Sequence, residues 1–198
     1  CLTALEMEKK LAIMRSEWAN DSDWPELVHN IRHRVGLNSG EMVTGNMGSS
    51  MRMNYTMMGD TVNLAARLEP AAKHYGVYIL VSEHTQKAVE DFFEWRFLDF
   101  LRVKGKKKPV RGYELISLKN EMTKDQSQLV QAFDEGIKLY NKQEWTTAKK
   151  LFKESLSMEE KFIDRPTTPS EVYLDRCDYF KAEPPGKNWD GIWTMKTK

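Results

Sequence analysis

The chain has 198 residues, enough for one large or two small domains. Its 30 Lys plus Arg stand against 29 Asp plus Glu, a formal charge of +1, so no basic surface for a nucleic acid is expected. No apolar run of about 18 residues is present, so no segment reads as a membrane span, and the N-terminus shows no signal-peptide pattern. Cys1 and Cys177 are far apart and lack metal-ligand spacing, which favours a reducing compartment over a disulfide framework; a cytoplasmic location is expected, with a membrane-anchored parent left open.

In chain order, Ala4, Met7, Leu11, Met14 and Trp18 recur at steps of three and four, predicting an opening helix with that stripe buried. Asn20-Asp21-Ser22-Asp23 and Pro25 end it. Ile31 to Leu37 and Met42 to Gly45, joined by Asn38-Ser39-Gly40, read as a hairpin. A turn-rich stretch from Gly48 to Asn54 leads to a short apolar run at Tyr55 to Met58. Asp60 is the expected N-cap of a helix to about Lys73, and Pro70 is expected to kink it or end it early.

Val77 to Val81 reads as a strand and Ser82 as the cap of a helix to about Asp91. From Phe93 the chain alternates. Phe93, Trp95, Phe97, Leu101 and Val103 lie on one face, with Glu94, Arg96, Arg102 and Lys104 on the other, predicted to be solvent. A turn at Gly105 to Pro109 leads into a last strand, Val110 to Ile116. Helices and strands in this mixed order indicate an α+β layer. Lys119 to Ser127 is polar and linker-like. Beyond it Gly136, Ala148 and Phe152 have the spacing of small and large packing positions in a tetratricopeptide-like helix pair, with a further helix at about Ser170 to Ala182. One repeat cannot bury its own face, so this tail should pack on the first domain or on a partner.

Three motifs carry a resemblance. They are Val35-Gly36-Leu37-Asn38-Ser39-Gly40-Glu41 running on to Gly45-Asn46-Met47-Gly48-Ser49, then Tyr55-Thr56-Met57-Met58-Gly59-Asp60-Thr61-Val62-Asn63-Leu64-Ala65-Ala66-Arg67-Leu68-Glu69, and later Val103-Lys104-Gly105-Lys106. In this order and spacing they resemble bacterial-type class III adenylate and guanylate cyclases. The resemblance implies that residues 1–118 are the C-terminal part of a ferredoxin-like cyclase domain. Residues 119–127 would be a linker and 128–198 a small all-α tail.

The resemblance also implies roles. Asn63 would orient the ribose of ATP and Arg67 would stabilise the transferring phosphate, side by side at i and i+4 on one helix face. Thr56 stands where many adenylate cyclases carry an aspartate that reads adenine, and its hydroxyl can accept from an amino group. The threonine subgroup includes bicarbonate-stimulated adenylate cyclases, so ATP is expected over GTP. Lys104 and Lys106 are candidates for holding the terminal phosphates, Lys104 the better of the two. Asp60 and the four histidines are given no catalytic role, and Gly36, Gly40, Gly45 and Gly48 read as turn and packing glycines.

In the family, two Mg or Mn ions sit on two aspartates upstream of the helix with which this chain begins. No Asp or Glu here matches them, so the chain by itself is expected to be inactive. Class III sites form at a head-to-tail dimer interface, which makes a homodimer through the cyclase domain the expected assembly. Two other readings stay open: a regulatory module whose tail binds a protein partner, and a degenerate, non-catalytic cyclase-like domain, against which the intact Asn63 and Arg67 count.

Overall fold

The computed structural model describes residues 1–101, 109–162, 165, 167–186 and 188–193. The elements run α1 (Leu2–Ala19), α2 (Glu26–His29), β1 (Val35–Leu37), β2 (Val43–Ser49), β3 (Arg52–Met58), α3 (Asp60–Tyr75), β4 (Ile79–Ser82) and α4 (Glu83–Ala88). They continue with β5 (Phe93–Leu101), β6 (Val110–Leu118), α5 (Lys124–Asn141), α6 (Trp145–Phe162) and α7 (Pro169–Ala182). Among the described residues the main sheet has the order β1-β4-β6-β5, and β2 and β3 form a separate two-stranded sheet. Strand β1 runs parallel to β4, and both other neighbouring pairs are antiparallel. The parallel pair requires a crossover, and α3 supplies it.

Strand β4 is buried on both faces, and its alternate residues point into two cores. Ile79 and Val81 meet Ala4 and Leu5 of α1, with Phe93 and Leu115. Leu80 faces the opposite way. It joins Leu64, Leu68, Ala72 and Tyr75 of α3, Leu98 of β5, and Phe133, Tyr140, Phe152, Tyr173 and Phe180 of the C-terminal helices. The helical tail therefore packs on the α3 side of the sheet in one continuous core. Helix α5 begins at Lys124, inside the polar stretch that reads as a linker, with Thr123 and Gln126 forming a reciprocal capping box. Helices α5 and α6 come close at Gly136, where an added Cβ would lie 2.7 Å from Phe152 Cε1.

Several expectations are corrected. Strand β1 does not pair with β2. The hairpin is β2 with β3, in register from Val43 opposite Met58 to Ser49 opposite Arg52, so the stretch Gly48 to Asn54 is mostly strand. Neither face of this hairpin is buried, although in β3 Met53, Tyr55 and Met57 alternate with Arg52, Asn54 and Thr56. Helix α1 buries Ala4 and Leu5, while Met7 of the predicted stripe is exposed. Helix α3 runs unbroken through Pro70. Both Pro70 and Ala66, whose carbonyl loses its partner there, are on the exposed side, where water can replace the missing bond. Gly59, not Asp60, is the N-cap of α3.

The largest departure is Arg96. Its predicted solvent face is covered by the tail, and its side chain is fully buried. Nε donates to Glu114 Oε2 at 2.8 Å, Nη1 donates to Glu159, and the guanidinium carbon lies 4.9 Å from the centre of the Phe133 ring. Burial works against its charge, but the two carboxylates more than offset this and raise its pKa further. Among the described residues no helix is long and apolar enough to cross a membrane.

Candidate active site

Helix α3 carries Asn63 and Arg67, and its placement follows from the 3.6-residue period. Leu64, Leu68, Ala72 and Tyr75 form the buried stripe. Asn63 and Arg67 each precede a stripe residue and so lie beside it, on the exposed side of the helix. Two contacts hold the helix in place. A Cβ at Gly36 of β1 would lie 2.6 Å from both the Ala65 carbonyl oxygen and the Glu69 nitrogen, so only glycine lets the strand approach the helix backbone this closely. At the helix start, Asn38 Nδ2 donates to the Thr61 carbonyl at 2.9 Å, while Ser82 Oγ donates to Asn38 Oδ1 at 2.5 Å. The loop after β1 is thereby tied to both α3 and the end of β4. Arg34 Nε donates to Glu69 Oε1 at 2.9 Å on the same side.

Thr56 lies on β3, opposite Gly45, and is exposed. Strand β3 leads into α3 through Met58 and Gly59, whose φ of 147° lies in the region that favours glycine. Thr56, Asn63 and Arg67 thus belong to one strand-turn-helix unit. Lys104 and Lys106 lie outside the described residues. Among the described residues no three His, Cys, Asp or Glu side chains are grouped to hold a metal ion.

Sequence reasoning missed the charged layer between sheet and tail. Tyr75 Oη, at the last turn of α3, donates to Asp99 Oδ2 at 2.7 Å, and Arg176 Nη1 of α7 donates to the same oxygen at 2.6 Å. Burial, together with the adjacent Asp99 carboxylate, pushes the Tyr75 hydroxyl pKa far above its ordinary value. The only sequence signal for this layer is the charged character of β5 and β6, where Arg96 and Glu114 are cross-strand partners. Their third member, Glu159, is 63 residues away from Arg96.

The profile of the adenylate and guanylate cyclase catalytic domain matches residues 2–117, and the chain belongs to that family. The terminal-differentiation specific adenylate cyclase of Dictyostelium discoideum is 33% identical over 147 residues, covering 72% of this chain and 7% of that protein. Adenylate cyclase 1 of Rhizobium meliloti is 35% identical over 118 residues, 60% of this chain and 17% of that protein. The crystal structure of the adenylyl cyclase CyaB from P. aeruginosa is 30% identical and covers 60% of this chain and 58% of that chain, with a TM-score of 0.48. The chain therefore spans a small fraction of the length of both curated relatives.

Proposed function

We propose that this chain contributes the ribose and transition-state side of an adenylate cyclase site, converting ATP to cyclic AMP and pyrophosphate. The observation that carries this reading is the pair Asn63 and Arg67 on the exposed side of a helix pinned by Gly36 and Asn38. The relatives named as adenylate cyclases support the choice of ATP.

In the reaction the ribose 3′-oxygen attacks the α-phosphorus, a new P–O bond forms, the bond to the bridging oxygen breaks, and the 3′-hydroxyl proton passes to water. Pyrophosphate takes the electron pair. The Asn63 amide holds the ribose so that attack is in line, which removes orientational entropy from the barrier. The Arg67 guanidinium donates two hydrogen bonds to oxygens that gain charge as the bond to pyrophosphate breaks. Thr56 accepts from the adenine amino group, and Lys104 or Lys106 neutralises the terminal phosphates. The divalent ions that the family's chemistry uses would be held by aspartates from another segment or chain, so this chain alone makes no cyclic nucleotide.

The exposed β2–β3 hairpin supports a dimeric assembly. Met51 is 94% exposed, Tyr55 73% and Met53 63%, and Met42, Val43, Met57 and Met58 are exposed beside them. Apolar side chains concentrated on one projecting element mark an interaction surface. A product assay tests the functional reading. The purified chain should yield neither cyclic AMP nor cyclic GMP, and the cyclase that contains it should make cyclic AMP from ATP. Turnover by the purified chain that Arg67→Ala abolishes, or cyclic GMP as the main product of the assembled enzyme, would overturn it.

A further inference from the structure

A cavity lies away from α3. It has a volume of about 400 Å³ and opens between α1, the start of β4, the end of β6 and the first turns of α5. That size suits a small ligand. Strands β4 and β6 pair only as far as Leu80 opposite Glu114, and the cavity sits where Ile79 and Leu115 no longer face each other in the ladder.

Its walls are unusual in charge. Arg15, Arg32, Arg96 and Arg165 line it, against only Glu8 and Glu114. Arg96 is fully engaged with Glu114 and Glu159. Arg165 is not. Its side chain is completely buried and pairs with Glu114 through Nη1, 3.1 Å from Oε1, while Nε and Nη2 have no hydrogen-bond partner among the described residues. Glu114 is thus shared by two cations, its other oxygen already taken by Arg96. Arg15 presents Nε and Nη1 in the same condition, buried and without a hydrogen bond. Buried donors of this kind call for a partner, which a bound water or a bound anion can supply. With Glu159 counted beside Arg96, the layer keeps one positive charge in excess.

We infer that this cavity is a binding site for a small organic anion. A carboxylate or phosphoryl head would take the open donors of Arg15 and Arg165, because a planar guanidinium fork matches two oxygens of either group. A short apolar body would lie against Leu5, Ile79, Leu115 and Leu129, which supply the hydrocarbon part of the wall. Occupancy would link α1 to the tail across the ends of the two central strands, at a distance from Asn63 and Arg67. The inference does not depend on the cyclase reading.

The test is thermal denaturation of the 198-residue chain titrated with inorganic phosphate, butyrate or butyl phosphate, at ionic strength matched with sodium chloride. At least one probe should raise Tm saturably, the butyrate and butyl phosphate arms deciding between a carboxylate and a phosphoryl head. Arg15→Gln and Arg165→Gln should each weaken that probe about ten-fold or more, as loss of a charge-assisted hydrogen bond implies. Glu8→Gln, which removes a negative charge from the wall, should strengthen it. If Arg165→Gln does not fold, Arg15→Gln and Glu8→Gln on the surface helix decide the matter. The inference is overturned by the absence of saturation with all three probes, by an equal rise with chloride alone, or by unchanged affinity in Arg15→Gln.

Discussion

Arg176 and Asp99, 77 residues apart, are joined by a buried hydrogen bond of 2.6 Å from Nη1 to Oδ2, which fastens α7 to β5. Tyr75 donates to the same oxygen, so the C-terminal turn of the helix bearing Asn63 and Arg67 is anchored to the tail. Asp99 Oδ1 accepts from the Phe100 amide at 2.7 Å, which engages both carboxylate oxygens. Asp99→Asn would leave the Arg176 cation buried without its counter-ion. Removing one member of a buried pair costs about 3 to 5 kcal/mol. Urea denaturation should show a loss of that size in a single transition. A loss confined to the tail, with residues 60–75 equally protected from hydrogen exchange, would mean that the tail and α3 are not coupled.

A pH-dependent stability follows from Asp134 on α5. Burial raises its carboxyl pKa to about 6 from an ordinary 3.8, despite partial opposition from Lys138 and Arg96. The folded state therefore holds the proton more tightly than the unfolded one. The stabilisation tied to the protonated form is complete below about pH 4 and is lost as the pH rises through about 6. Asp134→Asn should raise Tm above pH 7 and have little effect near pH 4. A difference in Tm that does not change with pH would contradict this.

The exposed hairpin predicts association. At micromolar concentration the chain should scatter light as a dimer, and Met53→Lys with Met57→Lys should shift it to monomer without lowering Tm. Both residues are exposed in β3, so the substitutions disturb no core. A wild-type monomer, or a dimer indifferent to these changes, would rule out the hairpin as the contact.

What could be read from the sequence follows the range of the interactions. Helix α3 was legible from the Gly59-Asp60 start signal next to it in sequence, and Asn63 and Arg67 only through the motif that resembles the cyclases. Val77 to Val81 and the C-terminal helices were legible from equally local signals, an apolar run or stripe within a few residues. The β2–β3 pairing was not, because the glycines and turn-forming residues from Gly45 to Asn54 read as a loop, although Met53, Tyr55 and Met57 alternate with polar residues along β3. Arg96 looked like a solvent residue because strand alternation cannot show a helix that arrives from Glu159 to cover it. Nor could alternation show that Phe133 and Tyr173 extend the core of Leu68 and Leu80 rather than closing a core of their own.

The account rests most directly on Arg67. The measurement is steady-state kcat and KM for ATP in the cyclase that contains this chain, comparing wild type with Arg67→Ala and with Asn63→Ala. Both side chains are exposed on α3, so neither change should alter Tm appreciably. If they act on the transition state, each variant should lose about 100- to 1000-fold in kcat with KM for ATP little changed. An unchanged kcat with a raised KM would contradict the account, since the pair would then bind ATP without serving the bond-making step.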